Sequence, residues 1–176
     1  MSKIDYNLKL IKGIAFDVDG VLSPATVPMD SDGIPCRMAN LRDGYSMVQA
    51  VKCGYHLALI SGADTQAVRR RFEIIGINTD DMYLGSLDKV TALNRWMQQH
   101  SLQPQEVAYV GDDMPDIEPM RLVGLSVCPA DAATDVLAVA SYISPVNGGY
   151  GVARDLIEEI MKAQGTWEST TKAFGQ

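Results

Sequence analysis

The sequence predicts an α/β domain on a mainly parallel sheet. Three observations carry this: short apolar runs that lack strict alternation, helical patterns between them, and chemistry-bearing residues just past the ends of several runs. The runs are Ile11 to Phe16, His56 to Ile60, Met82 to Leu84, Val107 to Val110 and Leu125 to Cys128. Their unbroken apolar character suits strands buried on both faces, joined by right-handed crossovers.

The first run passes directly into Asp17-Val18-Asp19-Gly20, two acids spaced i, i+2 and then a glycine. Next, Ala25 to Met29 and Ile34 to Ala39 flank Asp30-Ser31-Asp32-Gly33, the pattern of a β-hairpin with an Asp-Gly turn in which Asp30 and Asp32 are plain turn residues. A lone two-stranded hairpin is marginal in water, so a partner subunit is expected to cover it. Ser46 to Lys52 carries Met47, Val48 and Val51 at helical spacing and stops at Gly54. The second run ends at Ser61-Gly62, after which Asp64 is placed to cap a helix running to about Ile75 and closed by Gly76. Asp88 caps another, opened by Lys89, with Val90, Leu93, Trp96 and Met97 on one face. The fourth run leads into Gly111-Asp112-Asp113-Met114-Pro115-Asp116, where Pro115 suits the first turn of a helix through Leu122. Asp131 opens a short helix and Val152 to Ala163 makes the last, while Met1 to Lys9 and Gly165 to Gln176 read as arms.

At 176 residues with 47% apolar side chains, the chain is expected to form one domain over residues 1–176, with no large separate cap. A net charge of -7 argues against a nucleic-acid surface, because phosphate contacts need a broad face of Lys and Arg. An anionic small molecule would be held by local cations, for which Lys89, Arg37, Arg42, Arg154 and the run Arg69-Arg70-Arg71 are available. No apolar run is long enough to span a bilayer and Met1 to Lys9 lacks the core of a signal peptide, so the expected location is cytoplasmic. Cys36, Cys53 and Cys128 form no Cys-x-x-Cys pair and read as small buried hydrophobes.

Ligands of open parallel sheets sit at the carboxyl ends of the strands, which is where Asp17, Ser61 and Asp112 fall. Two unit charges about 4 Å apart repel by roughly 4 kcal/mol at an effective dielectric near 20, so gathered carboxylates call for a cation. An all-oxygen donor set without paired His or Cys favours Mg²⁺. Calcium loops are excluded, since the twelfth position counted from Asp17 is Pro28 and from Asp30 is Leu41, neither of them the required Glu. Ser61 and Gly62 at a helix start suit a phosphoryl oxygen, and Lys89 suits charge on a transferring group. The pieces together read as a phosphate-transfer site with an aspartate nucleophile. A phospho-acceptor signalling domain also combines acids, Ser/Thr and Lys on an α/β sheet, but its phosphorylated Asp stands mid-chain, where Ser61 ends the strand here. A noncatalytic interaction module is the third reading.

In this order the motifs resemble those of the haloacid dehalogenase superfamily: Asp17-Val18-Asp19-Gly20 the first, Ser61 the second, Lys89 the third, and Gly111 to Asp116 the fourth. The resemblance implies a Rossmann-like three-layer sandwich and Mg²⁺-dependent phosphatase chemistry through a phospho-aspartyl intermediate. It implies Asp17 as nucleophile and metal ligand and Asp19 as general acid and base whose carbonyl binds metal. Ser61 and Gly62 would hold phosphoryl oxygens and Lys89 would neutralise charge. Asp112 would bind metal, with Asp116 and Asp113 supporting. The hairpin insertion, Asn40-Leu41-Arg42-Asp43-Gly44-Tyr45 and Gly148-Gly149-Tyr150-Gly151-Val152-Ala153-Arg154 are similar to the capless 3-deoxy-D-manno-octulosonate 8-phosphate (KDO 8-phosphate) phosphatases and their relatives acting on nonulosonate 9-phosphates. That likeness implies a homotetramer joined by its hairpins, Arg71 facing a sugar acid, and Arg42 and Asp43 reaching an adjacent site. Ala63 departs from the charged residue frequent after Ser-Gly in these relatives, which leaves the particular ulosonate open.

Overall fold

The structure, a computed structural model, describes residues 2–167. Six parallel strands form one sheet: β1 (Gly13–Phe16), β2 (His56–Ser61), β3 (Met82–Leu84), β4 (Val107–Val110), β5 (Leu125–Cys128) and β6 (Tyr142–Ile143). Their order is β3-β2-β1-β4-β5-β6. The chain therefore winds outward from β1 one way and from β4 the other, and the switch between these two strands opens a crevice at their carboxyl ends. Phe16 pairs with Leu59 on one side and Val110 on the other, so β1 and β4 end level while β2 runs on to Ser61.

The helices lie in two layers. On one face are α1 (Leu41–Lys52), α2 (Gln66–Ile75) and α6 (Val152–Gln164), whose Met47, Phe72 and Leu156 pack against Ile14, Phe16 and Val110. On the other are α3 (Lys89–Gln99), α4 (Ile117–Leu122) and α5 (Thr134–Leu137), where Trp96, Met120 and Val136 meet Ala15, Ile60 and Tyr109. Successive residues of β1 and β4 thus enter opposite cores, as the unbroken apolar runs require.

Several expectations are revised. β6 is only two residues long and has no apolar run to announce it. α1 begins five residues before Ser46, because the Asn40 side chain accepts from the amides of Arg42 and Asp43 and nucleates the turn there. Thr65, not Asp64, caps α2, and Asp64 instead takes both arms of Arg69 at 2.8 Å. Asp131 does not open a helix; it accepts from the Gly148 amide at 2.8 Å, and α5 starts later, at Thr134. The insertion after β1 has a turn at Asp30 to Gly33 but only one antiparallel bridge, Met29 to Pro35, in place of two regular strands. Pro28 and Pro35 lack the amide donors a longer ladder needs. The first segment is no loose arm: Ile4 and Leu8 are buried, and Gln164 donates to the carbonyls of Leu8 and Ile11. Of the arm expected over 165–176, the portion beyond Trp167 lies outside the described residues. Cys128 is buried, but Cys36 and Cys53 are exposed, being on the insertion and at the end of α1. No helix among the described residues is long and apolar enough to cross a membrane.

Candidate active site

The crevice between β1 and β4 gathers the motif residues. Asp17 follows β1 and continues its ladder, donating its amide to the Val110 carbonyl at 2.9 Å, so its side chain is fixed at the sheet edge. Lys89 is the first residue of α3, whose start is set by Asp88 accepting from the Thr91 amide at 2.9 Å. From there Nζ reaches Asp17 Oδ2 at 2.9 Å and Asp116 Oδ1 at 2.6 Å. All three side chains are buried.

Asp116 spends its whole acceptor capacity inside the protein. Its Oδ1 also accepts from the Tyr109 hydroxyl at 2.7 Å, and its Oδ2 from the amides of Asp112 and Asp113 at 3.1 and 3.3 Å. Asp17, Asp112 and Asp116 each offer an oxygen within 4.8 Å of the others, the spacing of a cation site. Because Asp116 is already committed to Lys89, Tyr109 and two amides, Asp17 and Asp112 are the members left to hold an ion. Asp112 Oδ1 is buried with no hydrogen-bond partner among the described residues, which fits a cation's ligand. Oxygen ligands alone, two of them anionic, suit Mg²⁺. Gly20 makes the approach possible: its φ is +83°, and a Cβ there would fall 1.9 Å from Asp112 Oδ2.

The electrostatics follow the crowding. Burial, then Asp116, raise the Asp17 carboxyl to about 6, against the opposing pull of Lys89. Burial and the acids Asp17, Asp116 and Asp113 raise Asp112 to about 8. Burial alone would lower Lys89, but Asp17 and Asp116 outweigh it and raise the ammonium above its ordinary value, keeping it charged.

A cavity of about 420 Å³ opens over this cluster, lined by Asp17, Asp19, Ser61, Gly62, Lys89 and Asp112 among others. Ser61 ends β2, is buried, and accepts from the Ala63 amide at 3.3 Å. Asp113 is exposed at the rim. Asp19 is clasped by Arg37 of the insertion, Nε to Oδ1 at 2.7 Å and Nη2 to Oδ2 at 2.8 Å.

The residues expected to meet a sugar are not gathered with the rest. Arg71 and Asp43 line a second cavity of about 360 Å³ between the insertion, α1 and α2, and Arg42 is exposed on α1 and lines neither cavity. Asp43 is buried, with Oδ1 accepting from the Arg154 amide at 2.7 Å and Oδ2 unpartnered. Two contributors went unassigned in the sequence. Tyr109 sits inside an apolar run and reads as core, and Arg37 was one cation among several until the fold brought the insertion back to Asp19.

A model of the haloacid dehalogenase-like hydrolases matches residues 51–156. The 3-deoxy-D-manno-octulosonate 8-phosphate phosphatase of Escherichia coli K12 is 35% identical over 155 residues, 88% of this chain and 81% of that protein. This chain belongs to the KDO 8-phosphate phosphatase family. The crystal structure of the family's Yersinia pestis enzyme superposes with a TM-score of 0.86 at 33% identity, covering 91% of this chain and 85% of that one. The Moraxella catarrhalis phosphatase, solved in complex with magnesium ion, phosphate ion and KDO, gives 0.85 at 33% identity, with 90% of each chain covered. Membership in a hydrolase family sets aside the phospho-acceptor and noncatalytic readings, and the cluster of Asp17, Asp112 and Asp116 has the spacing to hold the Mg²⁺ that phosphatases of this superfamily use.

Proposed function

We propose that this chain hydrolyses a 3-deoxy-2-keto sugar acid phosphate, KDO 8-phosphate first among them, through a phospho-aspartyl intermediate on Asp17. The observation that carries this is the Lys89 ammonium shared by Asp17 and Asp116 beside the unpartnered Asp112 oxygen. The KDO 8-phosphate phosphatases that the chain resembles over most of their length supply the substrate class.

Asp17, anionic at neutral pH, attacks phosphorus, and the departing sugar alkoxide takes a proton from Asp19. Asp19 then accepts a proton from water, which attacks the phosphorus of phospho-Asp17, releases phosphate and restores the carboxylate. Lys89 offsets charge on the phosphoryl group and is held in place by Asp116. Ser61 and Gly62, which line the cavity, hold phosphoryl oxygens, and Asp113 helps shape the loop between Asp112 and Asp116. Asp17, Asp112 and the Asp19 carbonyl would hold Mg²⁺, which when bound would neutralise phosphate and relieve acid-acid repulsion.

The chain acts as one domain without a large cap, in the cytoplasm, as a homotetramer whose neighbouring subunits bring Arg42 toward each site. The exposed Met29, Ile34, Met38 and Leu41 along the insertion supply an apolar face for that assembly. Arg71 and Asp43 meet the sugar acid. Assaying phosphate release from KDO 8-phosphate, a nonulosonate 9-phosphate and simple sugar phosphates, with and without Mg²⁺, tests this. Mg²⁺-dependent preference for KDO 8-phosphate is expected, preference for the nine-carbon acid would shift the substrate within the class, and preference for simple sugars would reject the class.

A further inference from the structure

Arg37 links the two cavities. Its side chain is 12% exposed, and one edge of its guanidinium occupies both oxygens of Asp19, which lines the cavity over Asp17. Arg37 itself lines the second cavity, with Asn40, Asp43 and Arg71. Its remaining nitrogen, Nη1, is buried and has no hydrogen-bond partner. A buried charged N–H without an acceptor is unfavourable, so the pair with Asp19 leaves the guanidinium incompletely satisfied.

The clasp also sets the orientation of the Asp19 carboxylate. Two parallel N–H···O bonds fix the plane of a carboxylate on its partner, so turning Asp19 toward a leaving oxygen requires that Arg37 let go. The segment that carries Arg37 is lightly held: one bridge at Met29 and Pro35, and the Met38 amide on Ser23 Oγ at 3.1 Å. An anionic group entering the second cavity would offer Arg37 the acceptors it lacks.

We infer that Arg37 is an exchangeable positioning residue: it clasps Asp19 in the free enzyme, and the carboxylate of a seated sugar acid draws the guanidinium away, so that Asp19 turns to the leaving oxygen only over an acidic substrate. This rests on the proposed phosphatase reading and adds to it a source of specificity. Discrimination by this device falls on kcat as well as KM, because a phosphate ester without the carboxylate binds but leaves the clasp closed.

The test compares wild type, Arg37→Ala and Arg37→Lys, with saturating Mg²⁺, on KDO 8-phosphate and on arabinose 5-phosphate, a sugar phosphate with no carboxylate. Wild type is expected to favour the acid strongly in kcat. Arg37→Ala is expected to keep kcat on KDO 8-phosphate within about twofold while its KM for that acid rises about tenfold or more, and to gain kcat on arabinose 5-phosphate, so that the preference in kcat collapses. Arg37→Lys, which keeps the charge without the two-pronged grip, falls between. A merely structural role would lower both substrates by one factor, and that result, or an unchanged preference in Arg37→Ala, overturns the inference while leaving the phosphatase reading intact. Failure of wild type to release phosphate from either substrate overturns both.

Discussion

The Nζ of Lys89 lies 2.9 Å from Oδ2 of Asp17, joining the start of α3 to the end of β1. That ammonium is also the counter-ion of Asp116, so one cation holds two buried carboxylates in a single site.

Lys89→Ala leaves two buried acids without their counter-ion. Breaking a buried pair from one side is expected to destabilise the fold by about 3 kcal/mol, read by urea unfolding at neutral pH. Turnover is expected to fall about a hundredfold or more, since charge on the transferring group loses its stabiliser. A stable, inactive variant would mean that the lysine serves catalysis alone.

Asp112 separates binding of the ion from the integrity of the fold. Mg²⁺ at a hundred times its Kd is expected to stabilise wild type by about 2.7 kcal/mol. Asp112→Asn removes one of the repelling acids, so without Mg²⁺ this variant is expected to melt higher than wild type, and with Mg²⁺ to show little further rise. Equal Mg²⁺-induced shifts in the two proteins would place the ion elsewhere.

Gly148 supports the same carboxylate from a distance in sequence. A Cβ at Gly148 would lie 1.8 Å from the Gly20 carbonyl oxygen, and Gly20 in turn packs on the Asp112 carboxylate. Backbone cannot yield as a flexible side chain does, so Gly148→Ala is expected to displace the turn after Asp17 and weaken Mg²⁺ binding about tenfold by calorimetry. Unchanged affinity would show that the loop moves as a unit.

Asp43 gives the fold a pH dependence away from the acidic cluster of Asp17, Asp112 and Asp116. Burial raises its carboxyl to about 6, only partly opposed by the Arg154 amide and charge. A carboxyl raised on folding contributes stability that is present below its unfolded value and is lost as pH rises through about 6. Between pH 4 and 6 stability is expected to drop by roughly 2–3 kcal/mol from this group, and Asp43→Asn, which keeps an acceptor for the Arg154 amide, is expected to remove that slope. A slope unchanged in the variant would show that Asp43 is compensated in solution.

The sheet and the motif residues gathered at its edge were legible because each rests on a local pattern. Val107 to Val110 can only be a buried strand, and the acids after it can only sit at its carboxyl end. What escaped depends on tertiary contact. Tyr109 reads as one more apolar residue until its hydroxyl is seen on Asp116. β6 is too short to carry periodicity and is held by pairing with β5. The insertion carries an Asp-Gly turn, but its prolines interrupt the ladder, and nothing in its sequence tells that Arg37 returns to Asp19. Arg71 and Asp43 were placed by likeness to relatives, and within the chain they face a cavity apart from the acids.

The most direct test of the nucleophile is phosphate release from KDO 8-phosphate by purified Asp17→Asn beside wild type, both with saturating Mg²⁺. Wild type is expected to turn over and Asp17→Asn to fall by at least about a thousandfold, with no phosphate trapped on the protein. Turnover by Asp17→Asn within about tenfold of wild type would contradict attack by Asp17.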